Sequence, residues 1–213
     1  MLKNDNVLTS LEFDHAEKIV VFLHGYGSSW EYFPESNKLY LANELKNTVI
    51  CAPNAPFVCD AGRGYQWFKL RDMSYQEIRQ GLDTVATMLA DYIDEVSDTY
   101  QCDIVSVVGF SQGAMLSFET LYHAKKVSKI VAYAGMFVPA PDRPIIAKSA
   151  RVLIVHSLDD QSVPYTNANL AKNNLEAIGV QSRIITYDGI GHSISIDGLE
   201  AGVRFINETN LAT

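Results

Sequence analysis

The chain has 213 residues, 47% of them apolar and 20% charged; that is enough to bury one α/β core, short for two, and unlike a disordered composition. Its formal net charge of −8 argues against nucleic acid or an anionic membrane surface as a partner, since both select a basic face. Residues 1–6 lack the apolar h-region of a signal peptide, and no run approaches the roughly 20 apolar residues that span a bilayer. The expectation is a cytoplasmic protein without stable membrane insertion.

Strand-like and helix-like segments alternate along the chain, which predicts βαβ units and a mostly parallel sheet with helices on both faces. Residues 7–13 alternate apolar and polar, as an edge strand does. Residues 18–23 read as a buried strand, 36–45 as a helix and 48–52 as a short strand. From 53 to 73 no element is evident, although Pro53, Pro56, Phe57, Trp67 and Phe68 lie there, and loops of this length in compact domains are usually functional. Ser74 with Glu77 reads as a capping box opening a helix with Ile78, Leu82, Val85, Leu89, Ile93 and Val96 on one stripe. An apolar, β-branched run at 103–108 then leads into Gly109-Phe110-Ser111-Gln112-Gly113, followed by Ala114, Met115, Leu116, Phe118 and Leu121 at helical spacing. Residues 129–134 and 151–156 are two further buried strands. The gap between them is too short for a large cap domain and predicts an open site. A helix at 163–178, a strand at 182–187 and a helix at 196–207 complete the expected single domain, 1–213.

The pentapeptide at 109–113, placed between a strand and a helix, has the form of a nucleophile elbow, with Ser111 exposed at the corner. A serine hydroxyl is a poor nucleophile at neutral pH and needs a base, itself oriented by a third group. The strand at 151–156 runs into Asp159-Asp160, and the strand at 182–187 runs into Gly189-Ile190-Gly191-His192. Both groups leave carboxyl ends of parallel strands, where open α/β sheets bind ligands. The chain order Ser, Asp, His is that of the elbow fold. His192 is therefore the expected base. The sequence alone leaves Asp159 and Asp160 even as its orienting acid. Of the other histidines, His24 is expected to brace its loop and His156 to be structural, while His15 and His123 read as surface residues. An oxyanion hole needs fixed N–H donors. Gln112, next to the nucleophile and at a helix start, supplies one, and Tyr26 in the loop His24-Gly25-Tyr26-Gly27 the other. Three cysteines without C-x-x-C spacing indicate neither disulfide nor zinc site, so no metal or cofactor is expected.

Taken together, Phe22 to Gly27, Ala52 to Pro56, Gln66-Trp67-Phe68, Gly109 to Gly113, His156 to Pro164 and Gly191 to Ile194 resemble the phospholipase/carboxylesterase family of α/β hydrolases, relatives of acyl-protein thioesterases. The resemblance implies the α/β-hydrolase fold and a serine carboxylic-ester hydrolase acting through an acyl-serine on small-molecule or lipid-like esters with an apolar acyl part. Acyl-protein thioesterase activity is its alternative. It also implies that Asp160 is the acid and that Trp67 and Phe68 border an acyl site, although Phe68 reads equally well as core. Ser157, Ala114 and Tyr26 depart from the family's usual glycine, glycine and leucine. A non-catalytic binding module on the same fold is the rival of another class. The loop at 25–27 lacks the third glycine of a dinucleotide fingerprint, and serine at 111 excludes a cysteine-nucleophile relative.

Overall fold

The computed structural model describes residue 2, residues 6–9 and residues 16–209. In chain order these form β1 (Val7–Thr9), β2 (Lys18–Leu23), α1 (Glu35–Glu44), β3 (Thr48–Cys51), β4 (Phe57–Val58), β5 (Tyr65–Gln66), α2 (Tyr75–Tyr100) and β6 (Val105–Phe110). They continue with α3 (Gln112–Ser117), α4 (Thr120–His123), β7 (Val127–Tyr133), β8 (Arg151–Ser157), α5 (Thr166–Ala177), β9 (Gln181–Tyr187) and α6 (Ile196–Asn207). Seven strands make the central sheet in the order β1-β3-β2-β6-β7-β8-β9, with β4 and β5 a separate hairpin. Within the central sheet, among the described residues, β1 alone is antiparallel to its neighbour. The expected edge strand is described only over 7–9; residues 10–13, and His15, lie outside the described residues.

The inner strands are buried on both faces, and their period-2 alternation sorts each residue to one core or the other. Ile19, Val21, Val105, Val107, Ile130, Ala132, Val152 and Ile154 pack under α2, α3 and α5. Val20, Phe22, Val108, Val131, Tyr133, Leu153 and Val155 pack under Leu41 of α1 and Leu199, Val203 and Ile206 of α6. The stripe predicted on α2 is the buried one. Half of its capping box forms: Ser74 Oγ accepts from the Glu77 N–H at 3.2 Å. The Glu77 carboxylate instead accepts from the N–H groups of Arg71 and Asp72.

The segment between β7 and β8 contains no regular element. It is tied to α2 through Arg79, which donates to the Val138 carbonyl and to the buried Glu119, and through Arg143, which reaches Asp83; Ala140 N–H donates to the hydroxyl of Tyr122 in α4. Strand register aligns the carboxyl ends that carry the site. Leu23 lies opposite Gly109, Phe110 opposite Tyr133, and Ser157 opposite Tyr187.

Candidate active site

The elbow is built by close approach. A Cβ on Gly109 would lie 2.3 Å from the Gly113 carbonyl oxygen, and one on Gly113 would lie 2.2 Å from that of Leu23. Neither glycine has positive φ; the left-handed residue is Ser111 itself, at φ 53° and ψ −116°. Such a conformation costs a non-glycine residue on the order of 1–3 kcal/mol and persists only where its surroundings hold it. Here Ser111 N–H donates to the Tyr133 carbonyl at 2.9 Å, and its own carbonyl accepts from Met115 N–H at 3.0 Å. The strained corner lifts the hydroxyl off the sheet edge. His192 Nε2 stands 2.9 Å from Ser111 Oγ, and His192 Nδ1 donates to Asp160 Oδ2 at 2.8 Å.

Asp160 is buried and fully engaged. Its Oδ1 accepts from the N–H groups of Ser162 (2.8 Å) and Val163 (2.9 Å), which fixes the carboxylate so that Oδ2 faces the imidazole. His156, buried as expected, donates from Nε2 to the Val163 carbonyl at 2.7 Å and lies 3.6 Å from Asp160 Oδ2. The two aspartates left even by the sequence thus have distinct places. Asp159 does not touch the imidazole; its Oδ1 accepts from Gly189 N–H and Gly191 N–H, both at 3.1 Å, and from the Ser157 hydroxyl. The Ser157 hydrogen bond, reinforced by those backbone donors, holds the Asp159 carboxyl below the usual range.

The loop at 24–27 lies beside Ser111, since a Cβ on Gly25 would sit 3.4 Å from Ser111 Cβ. His24 braces it from within. Its Nε2 accepts from Ala55 N–H at 3.0 Å while Nδ1 donates to the Gly25 carbonyl at 2.8 Å, a network that assigns the neutral Nδ1–H tautomer. Burial lowers the His24 pKa. Among the described residues, the N–H groups of Tyr26 and Gln112 donate to no protein acceptor, so both are free for an oxygen at the corner. The nearby Cys59 thiol, with burial, pushes the Tyr26 hydroxyl pKa up to about 12.

Trp67 and Phe68, expected to border an acyl site, are both buried. Trp67 is wholly buried, and its indole N–H donates to the His24 carbonyl at 2.8 Å. Phe68 packs its ring against Gly81. Neither lines the cavity of about 240 Å³ beside His192, whose uncharged walls include Phe22, Phe33, Phe110 and Ile194. Phe68 borders a wider cavity of about 670 Å³ that reaches neither Ser111 nor His192. The two aromatics lie under the corner because Gln112 holds them there: its buried amide accepts from Trp67 N–H at 2.8 Å and donates to the Phe68 carbonyl at 2.7 Å. That side-chain role, like the one of Asp159, escaped the sequence, which offered only the backbone of Gln112. Among the described residues no cluster of His, Cys, Asp or Glu is placed to hold a metal ion, and no helix is long and apolar enough to cross a membrane.

A mostly parallel sheet flanked on both faces, with a strained serine at one strand-to-helix corner and histidine and carboxylate at later strand ends, defines an α/β hydrolase of the serine type. Residues 6–210 match the profile of the phospholipase/carboxylesterase family, and the chain belongs to that family. It is similar to Acyl-protein thioesterase 1 of Debaryomyces hansenii, at 27% identity over 91% of each chain. It is also similar to Carboxylesterase SOBER1 of Arabidopsis thaliana, at 26% identity over 84% of this chain and 85% of that one. Among solved structures it is similar to esterase PE8, with a TM-score of 0.83 and 28% identity over 94% of this chain and 96% of that one. The chain is a hydrolase of esters or thioesters.

Proposed function

We propose that residues 1–213 form one α/β-hydrolase domain in which Ser111 attacks the substrate carbonyl. His192 takes the serine proton and returns it to the leaving group, while Asp160 holds the imidazole with Nδ1 protonated. The backbone N–H groups of Tyr26 and Gln112 receive the oxyanion, where fixed donors cost no reorganisation during the reaction. Water, activated by the same histidine, then releases the acyl group from Ser111. The observation that carries this reading is the unbroken relay of 2.9 Å and 2.8 Å from Ser111 Oγ through His192 to a buried, backbone-anchored Asp160. A fluorophosphonate probe should label the native protein and leave Ser111→Ala unlabelled. Equal labelling of the two, or none of either, sinks the assignment.

The substrate we propose is a small-molecule or lipid-like carboxylic ester with an apolar acyl part, met in the cytoplasm. The uncharged cavity beside His192 supports an apolar group there. At about 240 Å³ it falls below the roughly 300–1,000 Å³ of pockets that bury a whole drug-sized ligand, so it takes one short arm of the substrate. In a p-nitrophenyl ester series, kcat/KM should peak at short acyl chains and fall for long ones; a steady rise toward palmitate refutes this. Similarity to an acyl-protein thioesterase favours thioester cleavage as the second reading, and an acyl thioester assayed beside the ester series separates the two.

A further inference from the structure

His192 sits on the loop that follows β9, and this loop has little packing of its own. Gly189 and Gly191 have φ of 76° and 59°, and a Cβ on either would meet nothing within 4 Å. Its backbone is open on the outside and must be fixed by something else, because a displacement of about 1 Å at the base costs about 100-fold in rate. Asp159 Oδ1 accepts from Gly191 N–H and from Gly189 N–H, the latter shared with Asp188 Oδ1 at 3.0 Å, across the gap between the two strand ends, and Ser157 Oγ donates to the same Asp159 oxygen. The β8–β9 ladder is extended one step by Leu158 N–H donating to the Tyr187 carbonyl at 2.8 Å, which brings Asp159 level with the glycines. The next residue, Asp160, holds the ring of that same histidine.

We propose that Asp159 is a positioning residue: it clamps the backbone on the N-terminal side of His192 while Asp160 aligns the imidazole, and Ser157 sets the Asp159 rotamer. Two consecutive carboxylates of one turn thereby fix the base at its main chain and at its ring. This rests on the reading of Ser111 and His192 as nucleophile and base. A charge is not what the clamp requires; two N–H groups and a hydroxyl need only an acceptor oxygen, which asparagine also offers. The clamp therefore predicts a contrast between truncation and amide substitution at the same position.

The test is steady-state kinetics on a short p-nitrophenyl ester, the rate of fluorophosphonate labelling, and the melting temperature, for wild type, Asp159→Ala, Asp159→Asn and Ser157→Ala. Asp159→Ala should lower kcat and the labelling rate by about 10- to 100-fold, with KM within about twofold and the melting temperature within a few degrees, as for a surface-turn truncation. Asp159→Asn should recover most of the loss, and Ser157→Ala should fall between. Wild-type kcat in Asp159→Ala overturns the clamp, as does a loss in Asp159→Asn as deep as in Asp159→Ala. Failure of the underlying reading looks different, because then wild-type protein itself escapes the probe or Ser111→Ala is labelled equally.

Discussion

Replacing Asp160 by asparagine changes one oxygen to an amide nitrogen, and the surroundings decide which one. The Ser162 and Val163 N–H groups, at 2.8 Å and 2.9 Å from Oδ1, require an acceptor, so the amide oxygen is locked onto them. The NH₂ group then faces His192 Nδ1, where Oδ2 now stands at 2.8 Å. An NH₂ group cannot accept a proton, so His192 must present a bare Nδ1 and carry its hydrogen on Nε2. That nitrogen lies 2.9 Å from Ser111 Oγ and can no longer take the serine proton. The loss should resemble that of a serine hydrolase with its tautomer inverted, about 10⁴ in kcat, or about 5.4 kcal/mol at 1.36 kcal/mol per decade. Flipping the amide offers no escape, since it would set the NH₂ against two buried backbone donors. Because those anchors survive, the melting temperature should stay near that of wild type. The assay is kcat on a short p-nitrophenyl ester beside the fluorophosphonate labelling rate. A variant within tenfold of wild type refutes the tautomer argument.

Gly113→Ala should destabilise the protein by about 2 kcal/mol or more, because the new methyl meets two backbone carbonyls, those of Leu23 at 2.2 Å and His24 at 2.6 Å, and overpacking against immovable atoms costs about 1–3 kcal/mol; an unchanged urea midpoint contradicts this. His24 sets a pH dependence. Burial lowers its folded pKa, so the folded state binds fewer protons than the unfolded one just below the ordinary histidine value. The stability it contributes is present above about pH 6.5 and is lost as pH falls below it. Melting curves from pH 7.5 to 5 should show wild type losing more stability than His24→Gln, which does not titrate there; parallel curves remove His24 as the cause.

The sheet was legible because its inner strands are β-branched and buried on both faces, leaving apolar runs such as 18–23 and 151–156 that differ by one residue or less from the observed β2 and β8. The elbow was legible for a related reason, a strand and a helix meeting at two glycines. Those glycines permit contact with neighbouring backbone, while Ser111 carries the strained torsion. The helix after the elbow was expected to run on through Phe118 and Leu121, but it divides into α3 and α4, since spacing records which side chains are buried and not where the backbone turns. The two-residue strands β4 and β5 are too short to show a period at all. The choice between Asp159 and Asp160 depends on contacts with residues about 30 positions away, which leave no local pattern. The burial of Trp67 was hidden for the same reason, for what holds it is the Gln112 amide, 45 residues distant in sequence.

The partners at the elbow come from far apart on the chain, Ser111 and His192 being 81 residues distant in sequence. Such contacts repay their loop-closure entropy only late in folding. During synthesis at roughly 5–20 residues per second, the serine emerges seconds before its base, and no N-terminal fragment ending before β9 can contain both. With Ser111 and His192 in the proposed roles, chemical reactivity at Ser111 reports completed folding, and a fluorophosphonate applied to stalled nascent chains should find them silent until the segment bearing His192 has left the ribosome.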